Sequence, residues 1–473
     1  MQARLAPRRA WPLRLVAAAA CATLIAAGLA PHVWAMVRPP RLVYQLTKLP
    51  NGLTVVLSED HSTPIVNVQV WYHVGSRDER PGRTGFAHLF EHLMFKGSEN
   101  VEPEQHTSII SSIGGRSNAY TQQDVTVFWE TVPSQYLPLA LWLEADRMAT
   151  LRIDKDTFTR ERAVVKEERR MRVDNQPYGN LSELIYDQAY TTHPYKHPTI
   201  GSMADLDAAT VDDVLDFYHT YYVPSNATLV IVGDFDSKQA LDLITNTLGR
   251  VPAAAKPLVR DIPKEPPQTK EKRVTLHEDW PLPVAVVAYH ITYDGDPDSY
   301  PLHIISKVLS DGDSSRIYQD LVYKKQIALA AFGGGEIMED PSLFYGVAVV
   351  KPGHTVEEAT QALIDEFERL KTDGITEHEL ERAKNQFARD YILGRESDQQ
   401  KADQLAHAVV IHNDITTADG EFDIFQHVTT ADVQRVARKF FTEQNRLVMT
   451  VLPSSVPSAP PGPTPRAHPG GLR

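Results

Sequence analysis

The feature that most restricts the fold of this chain is an order of elements that occurs twice, on either side of a proline-rich interruption. On the N-terminal side, residues 41–47 and 53–58 read as short strands around the turn Pro50-Asn51-Gly52, and 65–73 alternates as a longer strand. Residues 84–95 and 106–112 carry helical spacing, 125–132 is rich in β-branched and aromatic residues, 134–148 and 155–173 are long helical patterns, and 228–232 is a short apolar strand. On the C-terminal side the order returns: a strand at 284–292, helices from 300, a strand at 343–350, helices from 356 and 377, and a closing strand at 446–452. Between them, residues 251–272 hold Pro252, Pro257, Pro263, Pro266 and Pro267 among charged residues, which is linker composition.

The expectation is an α+β chain of two homologous domains, 42–250 and 273–452, joined by the 251–272 linker. Length agrees, since 473 residues exceed the ~250 to 300 at which single cores stop growing. Residues 1–35 carry Arg4, Arg8, Arg9 and Arg14, an apolar run over 15–30, and Val33-Trp34-Ala35, the pattern of a cleavable secretory signal peptide. The run is short for a membrane span, so no stable membrane insertion is expected after cleavage, and the location expected is periplasmic or extracytoplasmic. Residues 453–473 include seven prolines and read as a disordered tail.

The formal charge is −13, and −17 once the four arginines of residues 1–35 are set aside. An acidic chain of this kind is a poor partner for nucleic acid. The only cysteine, Cys21, lies inside the signal segment. The mature chain is therefore thiol-free, which suits an oxidising compartment. It excludes a disulfide framework, a thiol nucleophile and thiolate metal sites, so any metal must be held by His, Asp or Glu.

That restriction gives weight to Gly85-Phe86-Ala87-His88-Leu89-Phe90-Glu91-His92-Leu93-Met94-Phe95. On a helix, His88 and His92 stand at i and i+4 on one face, one turn apart, where both imidazoles can reach one cation. Glu91 sits beside that face, and the intervening apolar residues can keep the site dry. His-x-x-Glu-His reverses the order of the commoner zinc helix motif and is the inverzincin signature. The plain alternative is two surface histidines and a solvated glutamate. Catalytic zinc takes three protein ligands, and the acid-rich stretch 161–168 offers Glu161, Glu167 and Glu168. Glu161 and Glu168, seven apart, share a helix face, and Glu167 points about 100° away from Glu168. An ion-paired surface helix would have the same composition.

With these residues in view, the sequence resembles the M16 metallopeptidases, the pitrilysin-like group that includes mitochondrial processing peptidase and bacterial extracytoplasmic members. The resemblance rests on Asn51-Gly52-Leu53, the Gly75 to Glu79 turn, the Gly82 to Gly97 block, Gly114-Gly115 leading to Asn118-Ala119-Tyr120-Thr121, Glu161-Arg162-x-Val164-Val165-x-Glu167-Glu168, His193-Pro194-Tyr195, Pro198 to Gly201 and Pro224 to Asp234. It spans about residues 42 to 452 and is denser in the first half. It implies two αβ-roll domains in a clam-shell arrangement, with His88, His92 and Glu168 as ligands of one Zn2+, Glu91 as general base and Glu161 as a supporting acid. It also implies an edge strand around Asn118, Ala119 and Tyr120 that takes an extended peptide by strand addition. The activity implied is zinc-dependent endopeptidase action on peptides or small unfolded polypeptides, with water activated at the metal as nucleophile.

One stretch departs from that family. Self-sufficient members carry an Arg and a Tyr seven residues apart in the second half, where this chain has Val322 and Leu329. Arg316 and Tyr318 have the wrong spacing, and Tyr323 could substitute through a local shift. The expectation is a heterodimer in which a homologue lacking the zinc motif supplies the Arg and Tyr, with a homodimer as the alternative. A non-catalytic scaffold or chaperone-like homologue, or a zinc-binding protein without turnover, are the rival functions. His61, His73, His106, His193, His197, His407 and His412 belong to no ligand pattern in the sequence and read as structural or solvated.

Overall fold

Residues 227–233 run Ala-Thr-Leu-Val-Ile-Val-Gly, and all seven are buried. A strand reads this way, instead of alternating, when both faces of its sheet are covered. In the computed structural model, which describes residues 38–454, this strand is central. The signal segment expected over 1–35 and the tail expected over 453–473, apart from its first two residues, lie outside the described residues.

The N-terminal half runs β1 (Gln45–Lys48), β2 (Thr54–Glu59), β3 (Ile65–Tyr72), α1 (Phe86–Leu93), α2 (Gln105–Ser112), β4 (Arg116–Thr121), β5 (Thr126–Pro133), α3 (Leu137–Thr150), α4 (Lys155–Arg169), α5 (Leu181–Ala189), α6 (Met203–Ala208), α7 (Val211–Tyr221), β6 (Ala227–Gly233) and α8 (Ser237–Asn246). The C-terminal half runs β7 (Lys272–Glu278), β8 (Val284–His290), α9 (Ser299–Ser310), β9 (Ala328–Glu336), β10 (Leu343–Val350), α10 (Val356–Thr372), α11 (Glu377–Leu393), α12 (Asp398–Val410), α13 (Thr417–His427), α14 (Thr430–Phe440) and β11 (Arg446–Pro453). No helix among the described residues is long and apolar enough to cross a membrane.

The strands form two sheets, ordered β1-β2-β6-β3-β5-β4 and β7-β11-β8-β10-β9. Without β1 the two orders are the same. Each pairs its first two strands in parallel (β2 with β6, β7 with β11) and the rest antiparallel. The repeated order in the sequence is thus a repeated topology, and the fold is two-domain α+β.

Strand β9 has no counterpart among the strands read from sequence, because Ala-Leu-Ala-Ala-Phe-Gly-Gly-Gly-Glu does not alternate. Its glycines answer to close approach: a Cβ on Gly333 would stand 2.1 Å from the Tyr345 carbonyl oxygen on β10.

What covers the second face of each sheet comes from the other half. Leu181, Ile185, Tyr186 and Ala189 of α5 pack on Val284, Val286, Leu447 and Met449 of the second sheet. Ala402, Leu405 and Ala406 of α12 pack on Val56, Val127, Val230 and Val232 of the first. The opposite face of the first sheet holds the larger core, with Val55, Leu57, Leu229 and Ile231 against Leu89, Phe90 and Leu93 of α1. Burial on both faces, one by local helices and one by a borrowed helix, is why the central strands carry few polar residues.

Candidate metal centre

Helix α1 is short and held firmly at its start. Gly85, its N-cap, has φ +87°, and a Cβ there would meet the Ile200 carbonyl oxygen at 2.6 Å. The buried Glu79 carboxylate accepts hydrogen bonds from the backbone N–H of Gly85 and of Ala87, both at 2.8 Å. These are helix-terminal donors with no partner inside the helix, so Glu79 positions the turn that carries His88. Phe86, Ala87, Leu89, Phe90 and Leu93 are buried, which turns His88, Glu91 and His92 toward the remaining face.

Helix α4 starts on an Asp154 cap, whose side chain accepts from the Thr157 N–H at 2.8 Å, and packs beside α1. Its far end is tied by Arg169, which forms a two-pronged bond with Glu183 and donates to the Gly201 carbonyl. The two-turn spacing then places Glu161 and Glu168 along one face toward the histidines. Glu167 points elsewhere and pairs with Arg170 at the surface.

The side-chain donors converge. Nε2 of His92 lies 3.3 Å from Glu168 Oε2, and Nε2 of His88 lies 3.8 Å from the same oxygen. The three ligand atoms of His88, His92 and Glu168 all fall within 4.8 Å of one another. Zinc bonds of ~2.0–2.2 Å in tetrahedral geometry separate ligand atoms by about 3.3–3.6 Å, so the donor set fits a zinc-sized cation with little movement. Glu168 is oriented for this, since its Oε1 is engaged by Arg172 at 2.7 Å while Oε2 faces the imidazoles.

The groups around these three divide the charge. Glu161 Oε2 lies 3.8 Å from His92 Nδ1, and its Oε1 lies 3.2 Å from Lys96 Nζ. Burial works to lower the His92 pKa, but Glu161, Glu168 and Glu91 outweigh it and the net shift is upward. For His88, burial and the neighbouring His92 pull the pKa well down, which keeps that imidazole neutral and its lone pair available. Burial raises the pKa of Glu91, against the opposing hydrogen bond from Thr121.

Of the strand residues singled out by sequence, Asn118, Ala119 and Tyr120 lie on β4, which ends the first sheet and, among the described residues, pairs only with β5. Alternation puts Ala119 and Thr121 on the α1 face and Asn118 and Tyr120 on the other, where Tyr120 meets Trp71 edge-on at 6.3 Å. Asn118 is exposed. The Thr121 hydroxyl donates to Glu91 Oε2 at 2.6 Å. Thr121, Lys96 and Arg172 were not among the site residues read from sequence; the i+4 spacing of Arg172 from Glu168 could have found it, while nothing local marks the meeting of Thr121 with Glu91.

The second-half positions also have definite places. Val322 packs against the second-half core, Leu329 is exposed on β9, and Tyr323 is exposed at a wide π-type turn over Tyr318–Lys324. Arg316 donates to Glu379 through Nε and Nη2 and also donates to the Gly374 carbonyl. His407 and His412, read from sequence as structural or solvated, both face Asp294.

Comparison with known proteins gives the family of the chain. The model described as "Insulinase (Peptidase family M16)" matches residues 54–203, and that described as "Peptidase M16 inactive domain" matches residues 208–387. "Zinc protease PqqE" of Helicobacter pylori is 32% identical over 413 residues, covering 87% of this chain and 93% of that protein. "Uncharacterized zinc protease YmxG" of Bacillus subtilis is 25% identical, covering 86% and 98%. The crystal structure of a protease from Helicobacter pylori superposes with a TM-score of 0.84 at 32% identity, over 87% of this chain and all of that one. With two matched family models, a relative alike over nearly its whole length and the same two-sheet fold, the chain belongs to peptidase family M16.

Proposed function

We propose that this chain is a zinc-dependent endopeptidase of peptides or small unfolded polypeptides, with His88, His92 and Glu168 as the metal ligands and Glu91 as general base. The observation that carries the reading is the convergence of those three ligand atoms beside a carboxylate, Glu91, that is hydrogen-bonded to the last residue of an open sheet edge. Relatives named zinc proteases support the metal and the reaction class.

A bound zinc supplies a Lewis acid that polarises the scissile carbonyl and makes an attacking water more acidic. An extended peptide adds to β4 along Asn118, Ala119 and Tyr120 through main-chain hydrogen bonds, which fixes its direction and register. Glu91 takes the water proton on a carboxylate oxygen and delivers it to the leaving amine nitrogen. The Thr121 bond holds one oxygen of Glu91 so that the other faces the substrate. Glu161 steadies the His92 ring from behind, itself held by Lys96.

The position of the second-half residues favours a two-subunit enzyme as part of this reading. The side chains of Val322 and Leu329 have no polar atoms, and Arg316 is committed to Glu379. An oxyanion donor is worth ~3 to 4 kcal/mol in barrier height, so an M16 homologue without the zinc motif, supplying Arg and Tyr, would complete the site. Export through the signal segment of residues 1–35 would place the pair in the periplasm. The rivals are a scaffold homologue and a zinc binder without turnover.

The test is metal content and cleavage of a mixed peptide pool by the wild type and Glu91→Gln, each alone and with the zinc-motif-less homologue from the same source. The proposal expects equal zinc in both proteins, and a fall in cleavage of about 100- to 10,000-fold in the variant. No cleavage by the wild type with or without its partner would favour the non-catalytic readings. Full activity of the lone chain would remove the heterodimer.

A further inference from the structure

Helix α12 ends at Val410 with a tight reversal: the N–H groups of Ile411 and His412 both point to the His407 carbonyl, and Asn413 takes a φ of +51°. The reversal folds His412 back beside His407, with ring centroids 5.0 Å apart. Asp294, just after β8, is fixed from its backbone by a 2.7 Å bond to the Met338 carbonyl. Its Oδ2 lies 3.2 Å from His407 Nε2, and its Oδ1 lies 3.2 Å from His412 Nε2.

We propose that Asp294, His407 and His412 form a second transition-metal site, separate from the one built on α1. The three ligand atoms lie within 4.8 Å of one another, and the 3.2 Å spacings match the 3.3 Å between His92 and Glu168 in the first site. The two distances run to different oxygens of Asp294, so a single ion would take both carboxylate oxygens or one after a small turn of the carboxylate.

The hydrogen bonding of His412 supplies an independent reason. The Thr417 hydroxyl gives its proton to the Asp414 carbonyl at 2.8 Å, so toward His412 Nδ1, 2.9 Å away, it can only accept. His412 therefore carries its proton on Nδ1, and in the neutral ring Nε2 has a bare lone pair. That atom is buried, lacks a hydrogen-bonding partner of good geometry, and is aimed at a carboxylate. A lone pair facing an anion is repulsive unless a metal ion or a second ring proton stands between them. An imidazole with Nδ1–H held by an outer acceptor and Nε2 facing the ion is the usual posture of a metal-ligating histidine.

His407, whose side chain is 42% exposed, opens the group to a cavity of about 390 Å³ that Glu421, Trp71 and Tyr120 also line. Open coordination positions would thus face solvent, with the Glu421 carboxylate close by. Two imidazoles and a carboxylate suit zinc, cobalt, nickel, copper or ferrous iron better than calcium or magnesium. Tyr120 points to the β4 face opposite α1, so the sheet separates the two sites. An ion here would tie α12, which the second half lends to the first sheet, to the loop after β8.

The test is equilibrium dialysis of the metal-stripped full chain against Co2+ and Zn2+, with bound metal measured by mass spectrometry and cobalt by its visible absorption. His88→Ala/His92→Ala removes the first site and should leave one equivalent bound, where the wild type binds two. Adding His407→Ala, at an exposed position, should weaken the remaining equivalent by about ten-fold or more. Asp294→Asn, close to isosteric, should do the same. No metal bound by His88→Ala/His92→Ala, or binding unchanged by both further substitutions, would overturn the proposal and leave Asp294 as the counter-ion of a protonated His412.

Discussion

Thr121 donates a 2.6 Å hydrogen bond to Glu91, joining the end of the sheet-edge strand β4 to the acidic residue of the helix that carries both histidines. The strand proposed to receive the peptide and the group proposed to move the proton are thus positioned by one contact. Loss of a hydrogen bond to a charged group costs ~1.5 to 3 kcal/mol. Thr121→Val should therefore lower kcat/KM roughly 10- to 100-fold with metal content unchanged, and Thr121→Ser should restore most of it. Steady-state cleavage by the three proteins decides the matter, and parent activity in the valine variant would refute it.

Glu161 sits behind His92 and is held by Lys96. Outer partners of metal-ligating histidines typically contribute 10- to 100-fold in affinity. Glu161→Gln should weaken zinc binding by about that factor, as read by competition with a chromogenic chelator. Unchanged affinity would assign Glu161 to structure alone.

Arg77, only 3% exposed, is bonded to Asp124 at 3.3 Å, and across to the second half to Glu339 and Asp340, both at 2.9 Å. Removing one partner of a buried ion group leaves the others uncompensated, at a cost of ~3 to 5 kcal/mol. Arg77→Ala should lower the free energy of unfolding by about that much in urea titrations. A loss well under ~1 kcal/mol would show that the carboxylates are hydrated.

Glu265, in the stretch between the two sheets, accepts from the backbone N–H groups of Thr191, Thr192 and His193, at 2.8, 2.8 and 2.9 Å. Burial works to raise its pKa, but these bonds and the Thr191 hydroxyl outweigh it and pull the value from 4.5 down to about 2. A carboxyl with a depressed folded-state pKa stabilises above its unfolded value and loses that contribution as pH falls toward the folded one. Glu265→Gln should accordingly cost about 1–2 kcal/mol at pH 7. The gap to the wild type should narrow below pH 4.5 and close near pH 2. Urea midpoints of the two proteins across that range check it, and a gap independent of pH would contradict it.

The sequence by itself determined what depends on neighbours along the chain. His88 and His92 share a face because 3.6 residues make a turn, Glu161 and Glu168 align because seven residues make two, and Glu167 turns away for the same reason. The repeated order of elements showed that one α+β unit occurs twice, although β7 and β9 were not among the strands read and the strand order was not given by it. Other features had no local signature. Strand β9 lacks alternation, Thr121 meets Glu91 across 30 positions, and Asp294 meets His407 and His412 across more than 110. The exchange of α5 and α12 between the two sheets was equally hidden. Periodicity tells that a helix has an apolar face but not which sheet will cover it. That choice is made by burial of apolar surface between distant segments, which is non-directional and leaves no mark on local spacing. Tertiary structure therefore decided which strand edge stays open, which carboxylate orients each imidazole, and where the second group of metal-binding side chains assembles.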